Sequence, residues 1–448
     1  MTDRFIEYIF SLVENKIDPL TYRASVKCFI DYLAVTLCGA KSLSDKKKQY
    51  IDSIVGGCGD ATVIGTGEKS DMQTAALMNG MNSHVLELDD GHRKGALHVG
   101  GTVFSALLAV AEKENLGSED FWLGAIVGYE ATVRLACAIQ PGNKLKGYHA
   151  TGTCGTVGAA VGIAAALKFS REQMKSALSA AVTCAAGVLE MQEDNSDYKP
   201  LNVGRAAMDA VAAAYLGRAG FVPPSDALGG KRGFLKVMTD DPKVEYLTEF
   251  DLSAQLAINQ VYMKTYASCR HTHPAVEAAL YLRGKHSINA CDIKSVEVEA
   301  YRLAVAGHDH TCVLGVSSAK MSMPFSVALA LYRGSAGMED FNDSTVKDQA
   351  ILSLAKRVTV RENGELSSWV PAKRASILHI TLNDGTVLSH QVDYPKGEPE
   401  NPLSESELHG KFTSLAASAG YGHDRCSEII EFINTPSFAI RDLMEKIK

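Results

Sequence analysis

The sequence predicts a mainly α protein with a smaller α+β part: a large all-helical domain built from both chain ends, and an α+β lid domain inserted between them. Three observations carry this. Residues 1–258 hold successive apolar stretches at helical spacing, many of them rich in Ala and Gly. From residue 259 to 395 short runs alternate apolar and polar residues, as half-buried strands do, with helical runs interleaved. Residues 396–448 open on a polar connection and return to helical spacing.

In chain order, MTDRFIEYIFSLVENK reads as an amphipathic helix; it carries acids inside its apolar pattern and has no small-residue cleavage site. Pro19 to Gly39 combines a helix start with an apolar run closed by glycine. Gly56 to Gly67 is a glycine-rich connection with one short extended piece; no Lys-Ser/Thr follows it, so it is not read as a phosphate cradle. Asp71 to Val85 and Thr102 to Lys113 read as helices flanking a polar break. Thr156 to Lys168 (TVGAAVGIAAALK) is a candidate buried central helix, since small residues let helices approach closely. Ser176 to Leu189 and Gly204 to Ala219 continue the pattern. In the second region Val296 to Tyr301, Arg357 to Arg361 and Ser376 to Leu382 are expected strands. Asn383-Asp384-Gly385 is a turn signal that returns the chain through Val387 to Val392 as a hairpin. Helices are expected at His273 to Gly284 and Met323 to Gly334.

Composition narrows the function classes. The 448 residues are 46% hydrophobic and 22% charged, the balance of an ordinary globular protein with ample core. The formal net charge is -7 and the basic residues are scattered, so a nucleic-acid or polybasic membrane surface is not expected. No stretch of about 18 apolar residues lacks charge, which argues against a membrane span. The 10 cysteines form no CxxC pair and read as reduced thiols in a cytoplasmic protein. Cys269 has His271 and His273 nearby, but a helix or strand would splay these three, so no metal is expected.

Four breaks in the pattern concentrate ionisable groups. ELDDGHRKGALHVGG (87–101) holds Glu87, Asp89, Asp90, His92 and His98; the bland alternative is that Asp89 and Asp90 cap a helix and His92 sits in solvent. KGYHATGTCG (146–155) sets Tyr148 and His149 before the small-residue helix, whose N-terminus favours an anion. DYKPLNVGR (197–205) sets Lys199 ahead of another helix. KTYASCRHTH (264–273) lies at the expected domain join, where clefts usually form. Lys146, Lys199, Lys264 and Arg270 are candidate carboxylate clamps; His98, His149 and Tyr148 are candidate proton carriers. His271, His273, His308 and His310 are left as structural or rim residues. A small di- or tricarboxylate suits this inventory.

Seven segments in order, GDATVIGTG, AALMNGMNSHVLELDDGH, GYHATGTCGTVGAAVGIAAAL, KPLNVGRAA, KTYASCRHTHPAVEAA, AKMSMPFSVALAL and PKGEPENPLSESEL, give the chain a resemblance to the MmgE/PrpD family over nearly its whole length. That family includes 2-methylcitrate dehydratases, cis-aconitate decarboxylases and iminodisuccinate epimerases. The resemblance implies a cofactor-free homodimer with its active site between a helical domain and an α+β lid. Position by position it implicates Glu87, Asp90, His98, His149, Lys199 and Lys264. Cys269 falls where some decarboxylase members carry histidine and Phe325 where they carry tyrosine. The acidic loop also departs, with Asp89-Asp90-Gly91-His92 where many members read DDTW.

The implied step is removal of a carbon-bound proton close to a carboxylate, which requires cations on the carboxylate and a positioned base. The expected roles are Lys199, Lys264 and Arg270 at the substrate, with Glu87, Asp90 and Cys269 beside them. His98 or His149 would take the proton, and Tyr148 or the second histidine would return one. A 2-methylcitrate dehydratase-like hydro-lyase is the leading expectation and an epimerase the alternative. A decarboxylase or a non-catalytic metabolite-binding protein ranks below both.

Overall fold

The computed structural model describes residues 1–42, 44–54, 59–192 and 196–447. Of the glycine-rich connection, residues 56–58 therefore lie outside the described residues. The chain divides into two compact units: Met1–Met191, Tyr198–Tyr262 and Ser404–Lys448 form the first, and Gln192–Asp197 and Met263–Leu403 the second.

The helices of the first unit start and stop where local chemistry dictates. They are α1 (Thr2–Glu14), α2 (Pro19–Gly39), α3 (Ser44–Ile54), α4 (Met72–His84), α5 (Gly100–Glu114), α6 (Ser118–Ile139), α7 (Gly142–Leu145), α8 (Ala150–Ala166), α9 (Arg171–Cys184), α10 (Lys199–Arg218) and α11 (Phe234–Met238). Asp18 caps α2 and Asp71 caps α4, each accepting from two backbone N–H groups, while Ser170 and Gln173 close a capping box on α9. The extended piece after Gly59 is β1 (Ala61–Thr62), paired antiparallel with β2 (Lys69–Ser70). Helix α8 is buried on every side and packs against α6 at backbone distance: a Cβ on Gly158 would sit 1.9 Å from Thr132 Oγ1. It begins six residues before the predicted start at Thr156, because apolar periodicity marks a core stripe and not a first turn.

Helix α6 is long and apolar enough to cross a membrane, and 89% of its most apolar window is buried inside the first unit. Its buried acid is fully engaged: Glu130 pairs with Arg134 at 2.5 Å and accepts from the Tyr8 hydroxyl and the Ala257 N–H. These charges are the reason the stretch does not read as a span.

The second unit holds α12 (His273–His286), β3 (Ile293–Ala300), α13 (Arg302–Val305), α14 (Val316–Met321), α15 (Met323–Arg333), α16 (Gln349–Ala355), β4 (Val358–Glu362), α17 (Gly364–Ser368), β5 (Ser376–Leu382) and β6 (Val387–Val392). The sheet order is β4-β3-β5-β6, with β3 and β4 parallel and the other neighbours antiparallel. Strands β5 and β6 form the hairpin expected from Asn383-Asp384-Gly385, with Gly385 at φ +88°. The alternation of buried and half-buried residues along β5 sets one face of the sheet against α12. Helices α18 (Glu405–Ser418), α19 (His423–Ile433) and α20 (Ile440–Lys446) then rejoin the first unit, α18 starting at a Ser404–Glu407 capping box.

The unit boundaries fall a few residues later than the predicted breaks after 258 and 395. Tyr262 exchanges backbone hydrogen bonds with Gly91 at 2.8 and 3.0 Å, which keeps 259–262 with the first unit. In the second unit Gly397, at φ +93°, takes the Met263 N–H at 3.0 Å so closely that a Cβ there would lie 1.8 Å from the Met263 oxygen. Side-chain and backbone hydrogen bonding decides both ends, and neither has a composition signal.

Candidate active site

The polar break between α4 and α5 folds inward. Glu87, Asp89, Asp90 and His92 are all buried, so His92 is not the solvent residue of the bland reading; its Nδ1 accepts from the Gly95 N–H at 3.0 Å. Asp90 does cap a helix. Its Oδ1 accepts from the Val99 and Gly100 N–H groups at the start of α5, at 3.3 and 2.9 Å, and its Oδ2 from the Tyr129 hydroxyl at 2.8 Å. Burial pushes its carboxyl up to about 7, against the donors that favour the anion. Both oxygens are thus hydrogen-bonded within the protein, and Asp90 anchors the loop to the start of α5 and to Tyr129.

Three histidines gather around the remaining acids. His84, the last residue of α4, donates from Nδ1 to Asp89 Oδ2 at 2.8 Å, and its Nε2 lies 3.7 Å from Glu87 Oε1. Its ring centre is 4.7 Å from that of His98 and 6.0 Å from that of His149. His98 donates from Nδ1 to the Asp90 carbonyl at 2.7 Å, with Asp89 Oδ2 3.2 Å from the same nitrogen. A carbonyl only accepts, so this contact fixes the tautomer and directs Nε2 away from the acids. The His98 N–H is held by Thr151 Oγ1 in the first turn of α8.

His149 is the N-cap residue of α8 and is 7% exposed. Its Nδ1 is buried with no hydrogen-bond partner among the described residues. Burial, then the charges of His84, Lys199 and His98, holds its pKa well below the ordinary imidazole value. A neutral ring with an unsatisfied buried nitrogen is unusual in a structural histidine. Lys199 opens α10 and pairs with Glu87. Glu87 itself sits at φ +57°, a left-handed conformation rare for a glutamate. The Tyr148 hydroxyl, by contrast, has no side-chain hydrogen bond among the described residues, and the tyrosine is tied in by its backbone pairing with Val188. Lys146 pairs at the surface with Asp240 at 2.8 Å, outside the cluster. A cleft of about 810 Å³ on the first unit, lined by Leu12, Thr21, Lys27, Ile126 and Asn259 among others, contains none of the clustered groups.

In the second unit Lys264 is 1% exposed, one of the largest fully buried side chains of the protein. Arg270 is also buried, and its donors are taken up internally. Nε and Nη2 donate to Glu398 Oε1 at 3.1 and 2.8 Å, and Nη1 donates to His273 Nδ1 at 2.8 Å and to the Lys396 carbonyl at 3.2 Å. Arg270 thereby fastens the PKGEPENP segment to KTYASCRHTH. His273 completes this tie by donating from Nε2 to the Ser268 carbonyl at 3.2 Å. Cys269 lies beside His308, with 3.8 Å between its sulfur and Nε2. Phe325 is fully buried in the first turn of α15.

Sequence reasoning missed His84, Tyr129, Thr151 and Glu398. His84 was hidden inside a helical pattern, as the last residue of α4 before the polar break. The other three meet their partners from 39 to 128 residues away, which no local signal reveals.

Among the described residues, three groups of side chains bring possible metal-ligand atoms within 4.8 Å of one another: His84, Asp89 and His98; Cys269, His271 and His308; and Glu297, Glu299 and His379. The first is already knit by hydrogen bonds and the last is neutralised by Arg361.

A large helical part with a smaller α+β part is what the sequence resemblance implied, and direct comparison agrees on the family. The MmgE/PrpD N-terminal domain matches residues 3–247 and the MmgE/PrpD C-terminal domain residues 266–433. The cis-aconitate decarboxylase of Aspergillus terreus is 26% identical over 415 residues, covering 84% of this chain and 84% of that protein. The cis-aconitate decarboxylase of Homo sapiens is 24% identical over 368 residues, covering 77% of this chain and 72% of that protein. With both domains matched along almost all of its length, the chain belongs to the MmgE/PrpD family.

Proposed function

We propose that the protein is a lyase acting on a small di- or tricarboxylate, removing a carbon-bound proton next to a carboxylate without a bound cofactor. The observation that carries this reading is His149: a buried imidazole held neutral, with an unsatisfied ring nitrogen, in a cluster that also contains Lys199. A neutral imidazole accepts a proton, and a nearby ammonium offsets the charge that develops on the adjacent carboxylate. In this proposal His149 is the base and Lys199, positioned by Glu87, receives a substrate carboxylate. His98, whose Nδ1–H is tied to the Asp90 carbonyl, would take up a second proton beside Asp89 and as an imidazolium deliver it from Nε2 to the departing group. Asp89 orients His84 and His98 together. For Lys264 the support is the family resemblance, and for Tyr148 and Cys269 it is their place in the ionisable segments of the sequence.

Loss of a β-hydroxyl, as in 2-methylcitrate dehydratase, is the outcome we favour. Cys269 and Phe325 stand where decarboxylase members carry histidine and tyrosine. Decarboxylation is the second reading, favoured by the names of the relatives in Aspergillus terreus and Homo sapiens.

Proton NMR of the purified protein in deuterated water, with a panel of hydroxy-, amino- and unsaturated polycarboxylates, separates these. A new alkene signal from a hydroxy acid supports the dehydratase. Carbon dioxide release from an unsaturated tricarboxylate supports the decarboxylase. Deuterium incorporation with a change of diastereomer and no alkene replaces both with an epimerase, and the absence of any exchange refutes the proposed proton abstraction.

A further inference from the structure

The sequence pairs Cys269 with its neighbours His271 and His273, a spacing that disfavours a shared ion. The fold selects differently. His273 is consumed by Arg270 and Ser268, and His308, from the turn after α13, takes its place beside Cys269. The sulfur and one ring nitrogen from each of His271 and His308 fall within 4.8 Å of one another. The measured sulfur–nitrogen separation to His308 is 3.8 Å. Tetrahedral zinc with ordinary Zn–S and Zn–N bonds sets its ligand atoms roughly 3.5 Å apart. Closing this group on an ion therefore needs only small side-chain movements.

Both histidines are oriented from behind. His308 donates from Nδ1 to the Met321 carbonyl at 2.8 Å, which leaves Nε2 as the basic nitrogen, the one facing the thiol. His271 is bonded through Nδ1 to the Tyr301 hydroxyl at 2.5 Å. A histidine held through its far nitrogen by a carbonyl or hydroxyl is the usual arrangement behind a metal ligand. The main chain is fixed too. Cys269 donates its N–H to the Lys320 carbonyl at 2.9 Å, and the His308 carbonyl accepts from the Met323 N–H at 2.8 Å. Cys269 and His308 are half-buried, so solvent ions reach them.

We infer that Cys269, His271 and His308 form a binding site for a borderline-soft divalent ion of the zinc class. The site uses one thiolate and two imidazoles and leaves a fourth position for water or an exogenous ligand. Binding releases the thiol proton to solvent, so no oxidant or reductant is involved. All three residues lie within the second unit.

The test is titration of the chelator-treated, full-length protein with Co2+, followed by electronic absorption. The expected result is a thiolate-to-cobalt charge-transfer band with the intense visible bands of tetrahedral cobalt, saturating at one equivalent and abolished by zinc. Cys269→Ser should lose the charge-transfer band, and Tyr301→Phe should weaken binding roughly tenfold. Absence of the band, or its persistence in Cys269→Ser, overturns the site and leaves a thiol–imidazole hydrogen bond. Should Cys269→Ser not fold, alkylation of the unaltered protein decides: one equivalent of zinc protects Cys269 from iodoacetamide if the site exists, and leaves it reactive if it does not.

Discussion

In the first unit the histidines answer to carboxylates: Asp89 holds His84 and His98, and Glu87 stands between His84 and Lys199. Around Cys269 in the second unit two histidines answer to neutral groups, His271 to a tyrosine hydroxyl and His308 to a backbone carbonyl, with a thiol in front of His308. The difference is one of charge. Carboxylates stabilise an imidazolium and so help a ring carry a proton, whereas neutral partners orient a ring and leave it a lone-pair donor. His149 belongs to the first group without a carboxylate of its own, and is the ring kept neutral there. The same residue type is thus proposed for proton traffic in one unit and for ligand geometry in the other.

The sharpest way to break this contrast is His149→Gln. If His149 is the base, turnover should fall about 10²–10⁴-fold while the thermal midpoint stays near that of the unaltered protein; retention of turnover moves the base to His98. The next largest effect is on stability. Arg270→Ala strands the buried Glu398 carboxylate and should cost about 3–5 kcal/mol. Arg270→Met combined with Glu398→Leu should recover much of that loss in denaturant unfolding. If Arg270 contacts substrate after all, the double variant instead shows restored stability with a raised KM.

A third experiment reads the sign of the His149 shift. The base works only when neutral, so kcat/KM falls as pH drops through its pKa, which burial and neighbouring cations place below the ordinary imidazole range. The acid limb should therefore lie below about 6.5. Lys199→Met removes one of those cations, and should move the limb to higher pH in addition to raising KM; an unmoved limb would detach Lys199 from His149. The smallest effect expected is Ser404→Ala, which removes the capping box of α18 and should lower stability by about 1 kcal/mol with turnover unchanged.

The helices, the hairpin and the return of the C-terminal segment were legible from periodicity, caps and turn residues. Strands β5 and β6 begin and end at the predicted residues because alternation and an Asn-Asp-Gly turn are local properties. Helix α9 was placed too late, since its first turn is polar and carries its signal in Ser170 and Gln173. At the site, the breaks containing Glu87, His98, His149 and Lys199 were visible as concentrations of ionisable groups, and the family resemblance singled out those four together with Asp90 and Lys264.

Which of these groups faces another, and which is spent on the protein, was not visible. Asp90 and Arg270 look as chemically apt as Glu87 and Lys199. They differ only in that Tyr129 and Glu398, far away in sequence, meet them in the interior. By itself the sequence determined the elements, the family and the inventory of proton carriers, because these depend on short spacings and residue types. Only the tertiary structure decided that His84 joins His98 and His149, that His149 is buried and held neutral, and that His308 displaces His273 beside Cys269. Burial and long-range partners set protonation and ligand geometry, and both are created when distant segments pack.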